Sequence, residues 1–350
     1  MTSNASLQLK DFKPLPKLVT PVTKITTPAF PAIDAHNHLG EFGGGWDKRS
    51  AADLLRQLDS AHIIHYIDLD GGWGEDILDA HLKKFKQAAP DRFTMFGGPN
   101  WQLWSDDGFG ELSAERFRRQ VARGAAGLKI WKDFGLHVKD HKGRLVAVDD
   151  TRLDPLWQAA ADLNVPVLVH VADPVAFFDP VNTRNERWDE LHAHPDWQFP
   201  SPPFPSFMSI MQAFARLVKR FPALTFIGAH VACYAENLPW VSRLLDDCPN
   251  LMIDFSARIS ELGRQPFSAR KFFQRHQDRI LFGIDAGPDL ATYQTYYRFL
   301  ETEDEYFNYG TAEVPRQGRW QIYGLNLPKP VLEKIYVSNA AKLFGLQAAV

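Results

Sequence analysis

Five side chains of this 350-residue sequence are of types that hold divalent cations and move protons, and they recur at equivalent places. His36 and His38 lie two apart in Ile33-Asp-Ala-His-Asn-His. His170 closes Val165-Pro-Val-Leu-Val-His, His230 follows Leu224-Thr-Phe-Ile-Gly-Ala, and Asp285 ends Leu281-Phe-Gly-Ile-Asp. The runs ahead of them are short and largely apolar, the pattern of strands buried on both faces. Residues two apart on a strand share a face, so His36 and His38 point the same way. Imidazole nitrogens with one carboxylate are a ligand set for zinc and similar ions. One such histidine alone reads as an ordinary core residue; five such residues at the ends of four strands read as a metal site.

The elements that must position them alternate along the chain. Strands are expected at Ile33–His36, His62–Leu69, Arg92–Gly97, Ala126–Trp131, Val165–Ala172, Leu224–His230, Leu251–Ser256 and Arg279–Asp285. Helices are expected near 50–61, 76–88, 113–123, 151–163, 206–220, 236–247, 267–276 and 331–345. After Pro205, for example, Ile210, Phe214, Leu217, Val218 and Phe221 form one apolar stripe at helical spacing. This alternation predicts an α/β fold, a (β/α)8 TIM barrel, whose active site lies at the C-terminal strand ends. An open doubly wound sheet would want a glycine fingerprint after strand one. Gly43-Gly44-Gly45 is followed by no Gly-Lys-Ser/Thr, so a phosphate loop is unsupported. Residues 1–31, with Pro14, Pro16, Pro21, Pro28 and Pro31, read as an extended N-terminal arm, and 32–350 as the barrel domain. Asp173–Pro205 and Ala286–Pro330 read as long loops after strands five and eight.

Composition narrows the partners. The chain has 39 basic and 42 acidic residues, a formal charge of −3, which gives no nucleic-acid footprint and no reason to expect an anionic membrane surface. No apolar stretch is long enough to span a bilayer, and Met1–Lys10 lacks a secretory profile. Two cysteines, Cys233 and Cys248, suit a reducing compartment. A cytoplasmic protein acting on a small molecule is expected, with homo-oligomerisation left open.

The His-x-His, the later His170 and His230, and Phe282-Gly-Ile-Asp together resemble the amidohydrolase superfamily. The likeness is strongest to its amidohydrolase-2 branch, which holds metal-dependent hydrolases and decarboxylases related to aminocarboxymuconate-semialdehyde decarboxylase. It runs from about Phe30 to the C-terminus and includes Asn185-Glu-Arg-Trp-Asp-Glu-Leu and Tyr336-Val-Ser-Asn-Ala. The resemblance implies that His36, His38, His170 and Asp285 hold one divalent metal ion, zinc before others. It implies that His230 is the acid/base or orients the attacking water. Asp285 has an alternative role beside the ion, accepting the water's proton. Lys129, in Gly127-Leu-Lys-Ile-Trp, stands where some amidohydrolases carry a carboxylated lysine bridging two metals. Strand parity alone leaves open whether Lys129 or Ile130 faces inward; one metal is favoured, two if Lys129 is carboxylated.

Substrate contacts are expected from Arg258, Arg49, Trp131 and Asp173, with Glu41 a further candidate. Arg258 either binds a substrate carboxylate or pairs with Asp254, and the pair is favoured. Asp173 either bonds its own loop or touches substrate. Trp46, Trp73, Trp101, Trp104 and Trp131 follow or end strands, suggesting an aromatic mouth for a small organic substrate. His192 and His194, beside Trp188 and Trp197, read as packing and surface groups. There is no Gly-x-Ser-x-Gly turn for serine chemistry. Hydrolysis of an amide, ester or lactone leads, non-oxidative decarboxylation of a small carboxylic acid, an aromatic one included, on the same metal site is the alternative, and a metal-bearing binding protein is third.

Overall fold

Eight short parallel strands, each hydrogen-bonded to its neighbour in sequence, follow one another in the order β1 to β8. They are Ala32–Asn37, Ile63–Asp68, Phe93–Gly97, Ala125–Ile130, Val167–Val169, Phe226–Gly228, Leu251–Asp254 and Ile280–Leu281. Backbone bonds from Ala35 N to Phe282 O (2.8 Å) and from Asp285 N to His36 O (3.0 Å) join the last segment to the first. The result is the expected (β/α)8 barrel. The computed structural model describes residues 7–8, 12, 14–104, 107–310, 312, 315 and 317–347. Among these, no helix is long and apolar enough to cross a membrane.

Both faces of the strands are apolar because both are covered. Ile33, Ala35, Ile67, Phe96, Leu168, Ile227 and Leu281 fill the barrel interior, while Leu128, Ile130, Val167 and Val169 pack outward against helices. The helix Phe207–Arg220 shows how the outer layer forms. It buries Phe207, Ile210, Met211, Phe214, Leu217 and Val218, and the Ser206 hydroxyl caps it by accepting from Ser209 N. Pro222 follows at once and cannot continue it.

The structure departs from the sequence expectation in three places. The segment after β8 is not a bare loop: Leu290–Glu301 is a helix capped by Asp289, burying Tyr293, Tyr296, Tyr297 and Leu300 at helical spacing. Tyrosine hydroxyls make this stripe look half polar, but each is satisfied inside, by Asp34 (2.6 Å), Ile284 O (3.3 Å) and Ala61 O (2.6 Å). The loop after β5 likewise holds a short helix, Trp188–Ala193. The last helix is broken into Lys329–Glu333, a wide turn at Lys334–Ser338, and Asn339–Phe344. Its Val337, Ala340 and Ala341 join the interior cluster and plug the N-terminal end of the barrel. Of the arm, the described residues from Pro14 to Pro31 carry no helix or strand. Thr23 anchors it through two bonds to Asp304 (2.7 and 2.8 Å).

One register irregularity aims the proposed ligands. Asp34 pairs with Tyr66 and Asn37 with Asp68, three residues of β1 against two of β2. Ile33 and Ala35 point into the interior, so strict alternation would turn His36 away. The extra residue resets the alternation and returns His36 and His38 to the barrel mouth.

His65 on β2 gives the fold a pH dependence. It is buried, with Nδ1 bonded to Asp91 O and Nε2 to the Thr94 hydroxyl, both at 2.8 Å. Burial is the main force pushing its pKa down, to about 4. A histidine depressed in the folded state gives full stabilisation above the unfolded value near 6.5 and loses it as pH falls towards 4. The urea midpoint should therefore drop between about pH 6.5 and 4, and His65→Gln should flatten part of that drop. An unchanged pH slope in the variant would remove His65 from the account.

Candidate metal centre

The strand ends bring His36, His38, His170, His230 and Asp285 to one mouth. Asp285 is the common neighbour: its carboxylate lies 3.2 Å from His38 Nε2, 3.7 Å from His230 Nε2 and 3.9 Å from His36 Nε2. Donor atoms of His36, His230 and Asp285 all lie within 4.8 Å of one another. His170 stands one ring further out, its centroid 4.5 Å from that of His230 and its Nε2 3.5 Å from Asp173.

Each of the three inner imidazoles is tied back through its other nitrogen. His36 Nδ1 bonds Asp254 Oδ2 at 2.9 Å, His38 Nδ1 bonds Asp70 Oδ1 at 2.7 Å, and His230 Nδ1 bonds the Ser256 carbonyl at 2.9 Å. With a proton on Nδ1 donated backward, the Nε2 lone pair faces the shared space. Asp254 is held in turn by Ser256 N (3.0 Å), Ser256 Oγ (2.5 Å) and His230 N (3.2 Å). Asp70 accepts from Leu39 N (2.9 Å) and Gly40 N (2.6 Å), and behind it Asp68 bonds His81 Nδ1 at 2.8 Å.

The backbone here is strained. His230, Val231, Ala232 and Cys233 all have left-handed φ, 58°, 61°, 51° and 59°, and Asp285 has φ 52°. For residues with a Cβ this costs about 1–2 kcal/mol each. It persists where surrounding contacts over-determine it, which happens often at functional sites. Cys233 N closes the turn by donating to Ala229 O at 2.8 Å.

Burial works against the Asp285 charge, but His36, His38 and His230 outweigh it and hold the carboxyl well below its usual range. Burial, then the Arg258 charge, push His230 well down, and burial takes His170 to about 4. Burial also lowers His36. His38 runs the other way, up to about 9, because its bonds to Asp285 and Asp70 overcome burial. A cation in this space would replace that proton between the carboxylates. Imidazoles with oriented lone pairs and an ionised carboxylate fit a divalent ion.

Lys129 faces inward. It pairs in register with Leu168, an interior residue, while Leu128 and Ile130 face out. Its Nζ has no hydrogen-bond partner among the described residues and lies 4.4 Å from the centroid of Trp131. Burial lowers its pKa to about 8.

Above the histidines is a cavity of about 320 Å³, whose wall includes Trp73, Trp131, Lys132, Asp173, Arg187 and Arg258. Aromatic rings line one side in sequence: Phe42 on Trp73 (6.5 Å), Trp73 on Trp131 (4.0 Å), Trp131 on His38 (5.3 Å). Asp173 pairs with Lys132. The expected Arg258–Asp254 pair is absent, because the Asp254 oxygens are taken by His36, His230 and Ser256. Arg49 and Glu41 lie off this wall, Arg49 stacking on Trp46 at 3.6 Å. Trp101 and Trp104 pack on Phe134 and Phe109. His192 and His194 stack on Trp188 and Trp197. Sequence reasoning missed Asp70, Ser256, Lys132 and the Asp68–His81 pair. Asp68 and Asp70 carried a faint signal, two carboxylates two apart at the end of β2, like the histidines of β1.

The model of the amidohydrolase family, amidohydrolase-2 branch, matches residues 33–346, and the chain belongs to that family. No curated protein matches it. Among solved structures it is similar to 2,6-dihydroxybenzoate decarboxylase from Rhizobium, with TM-score 0.54, 17% identity, and coverage of 91% of this chain and 100% of that one. It is similar to 5-carboxyvanillate decarboxylase from Novosphingobium aromaticivorans, complexed with manganese and 4-hydroxy-3-methoxy-5-nitrobenzoic acid, at TM-score 0.52 and 17% identity over 83% and 79% of the two chains. It is also similar to a probable 2-pyrone-4,6-dicarboxylic acid hydrolase from Acinetobacter baumannii, at TM-score 0.50 and 12% identity over 90% and 100%. At such identities the likeness is one of fold.

The tie-backs make a testable demand. Asp254→Asn keeps the shape but no longer favours the Nδ1-protonated tautomer of His36, so metal affinity should fall about 10–100-fold. Asp70→Asn should do the same through His38. Chelator competition on the purified variants measures this; parental affinity in both would show that the tie-backs do not matter.

Proposed function

We propose that the chain is a metal-dependent hydrolase in which His36, His38, His170 and Asp285 hold a divalent ion, zinc first, and His230 moves the proton. The observation that carries the reading is an ionised Asp285 beside Nε2 atoms whose imidazoles are tied back to Asp254, Asp70 and Ser256. A divalent ion bound there would supply Lewis acidity, polarising a carbonyl and making water a better nucleophile near neutral pH. Asp285, unprotonated at neutral pH, accepts the proton of the attacking water. His230 is neutral, and its Nε2 lies 3.7 Å from Asp285, so it takes that proton onward to the leaving group of an amide, ester or lactone. Trp73 and Trp131 stack and present a flat aromatic surface on one side of the cavity. The inward face of Lys129 leaves a carboxylated, two-metal form in reach; its contact with Trp131 and its place beneath the cavity wall favour one ion.

A second reading, non-oxidative decarboxylation, is favoured by one observation: Arg258 lines the cavity without a carboxylate partner among the described residues. In that reaction a proton taken up from water passes through His230 or Asp285 to the substrate carbon, and the C–C bond to the carboxylate then breaks to release carbon dioxide. Screening the metal-loaded protein against lactones and aromatic acids, with pH-stat detection and a carbon dioxide trap, separates the two. Acid released without carbon dioxide supports hydrolysis; carbon dioxide with proton uptake supports decarboxylation.

The roles of the two similar histidines separate by mutation. His170→Ala should lose metal and activity together. His230→Asn should keep the metal, lose about 10²–10⁴-fold in turnover and lose one limb of its pH profile. If His230→Asn empties the site as His170→Ala does, His230 is a ligand and the assignment reverses.

A further inference from the structure

Among the described residues, every lysine and arginine on the cavity wall is ion-paired except one. Lys132 is matched by Asp173, and Arg187 by Glu190 and Glu261. Arg258 is 6% exposed and lines the cavity, yet among the described residues it makes no ion pair. Among the described residues its guanidinium makes one hydrogen bond, from Nη1 to the carbonyl of the preceding Ala257, at 2.8 Å. The nearby carboxylates are committed elsewhere, Asp254 to His36 and Ser256, Asp285 to the cluster of histidines. A guanidinium cannot escape the difficulty by losing its proton, as a buried lysine can. A buried charge without a counter-charge is unfavourable, so a ligand anion is the natural complement.

We infer that Arg258 is an anion-binding residue of the cavity and that the substrate carries a carboxylate which it holds. The guanidinium offers five N–H donors in a planar fork that matches the two oxygens of a carboxylate. It follows β7, whereas Trp131 follows β4, so the two lie across the cavity from one another. Trp73 and Trp131 are stacked with planes 24° apart and form the opposite, flat wall. A small planar acid thus meets Arg258 with its carboxylate and the indoles with its face, leaving its reacting bond over the histidines. The inference rests on reading the cavity as the substrate site. It does not depend on which bond is broken or on the metal.

Benzoate and its neutral isostere benzamide are the probes, titrated calorimetrically into the full chain. Benzoate should bind about 10-fold or more tightly than benzamide, the worth of a charge-assisted bond. The preference should persist in His36→Ala/His38→Ala, which lacks two metal-binding groups, and vanish in Arg258→Gln. Arg258→Lys should keep part of it. Since no counter-charge is stranded and the Ala257 carbonyl keeps its bond from Gln317 Nε2 (3.3 Å), Arg258→Gln should melt no lower than the parent. Benzoate preference retained in Arg258→Gln but lost in the double variant would assign the carboxylate to the metal and overturn the inference. Equal binding of the two probes, or no saturation by benzoate, overturns it as well. A lower melting temperature in Arg258→Gln would mark a structural residue and also count against it. Failure of the metal assignment alone would leave the benzoate result standing.

Discussion

The arrangement hangs on a buried carboxylate, Asp254, at the end of β7. It is wholly out of solvent and ionised: burial opposes its charge, but His36, His230 and the Ser256 hydrogen bonds hold it well below the usual carboxylate range. Its Oδ2 accepts a hydrogen bond from His36 Nδ1, and its Oδ1 accepts from the His230 backbone N–H and both donors of Ser256. An imidazole has two tautomers of similar energy in water; in this low-dielectric space the acceptor behind the ring decides which exists. Asp254 thus sets the lone-pair direction of His36 and pins the start of the turn that carries His230. Asp70 performs the first of these tasks for His38.

The fold brings these groups together at a conformational cost. A left-handed turn of four residues, one of them the β-branched Val231, follows β6, and Asp285 is left-handed too. The extra residue in β1 turns the two histidines inward at the height where β7 and β8 end. Below them the interior is apolar and sealed by Val337, Ala340 and Ala341, so mechanical support for the site comes from a dry, packed barrel. Above them, the two segments after β5 and β8 are linked by Asp189–Arg319, and the former is joined to the region after β7 by Arg187–Glu261 and Glu186–Arg264. The cavity walls are therefore cross-braced across the mouth.

Much of this was legible in the sequence because the barrel has a simple grammar. Continuous apolar runs marked the strands, and chemistry-bearing residues stood just past their ends. The boundaries were less legible: β5 is Val167–Val169, not 165–172, since a barrel strand pairs only over the stretch its neighbours share. The tyrosine helix at 290–301 escaped because its stripe carries hydroxyls whose partners are remote in sequence, such as Asp34 and Ala61. The fate of Arg258 was misjudged for a related reason: proximity to Asp254 in sequence suggested a pair, but His36, 218 residues away, holds that carboxylate. Inward or outward facing of Lys129 needed the register with Leu168, a cross-strand fact that one strand's pattern does not contain.

The central claim is that the imidazoles of β1, aimed by these carboxylates, hold a divalent ion at the barrel mouth. Elemental analysis of the purified protein beside His36→Ala/His38→Ala, dialysed together, tests it most directly. The account predicts near one equivalent of a divalent metal in the parent and background in the double variant, with the circular dichroism spectrum unchanged because the apolar core lies beneath the site. Equal metal content in the two proteins would contradict it.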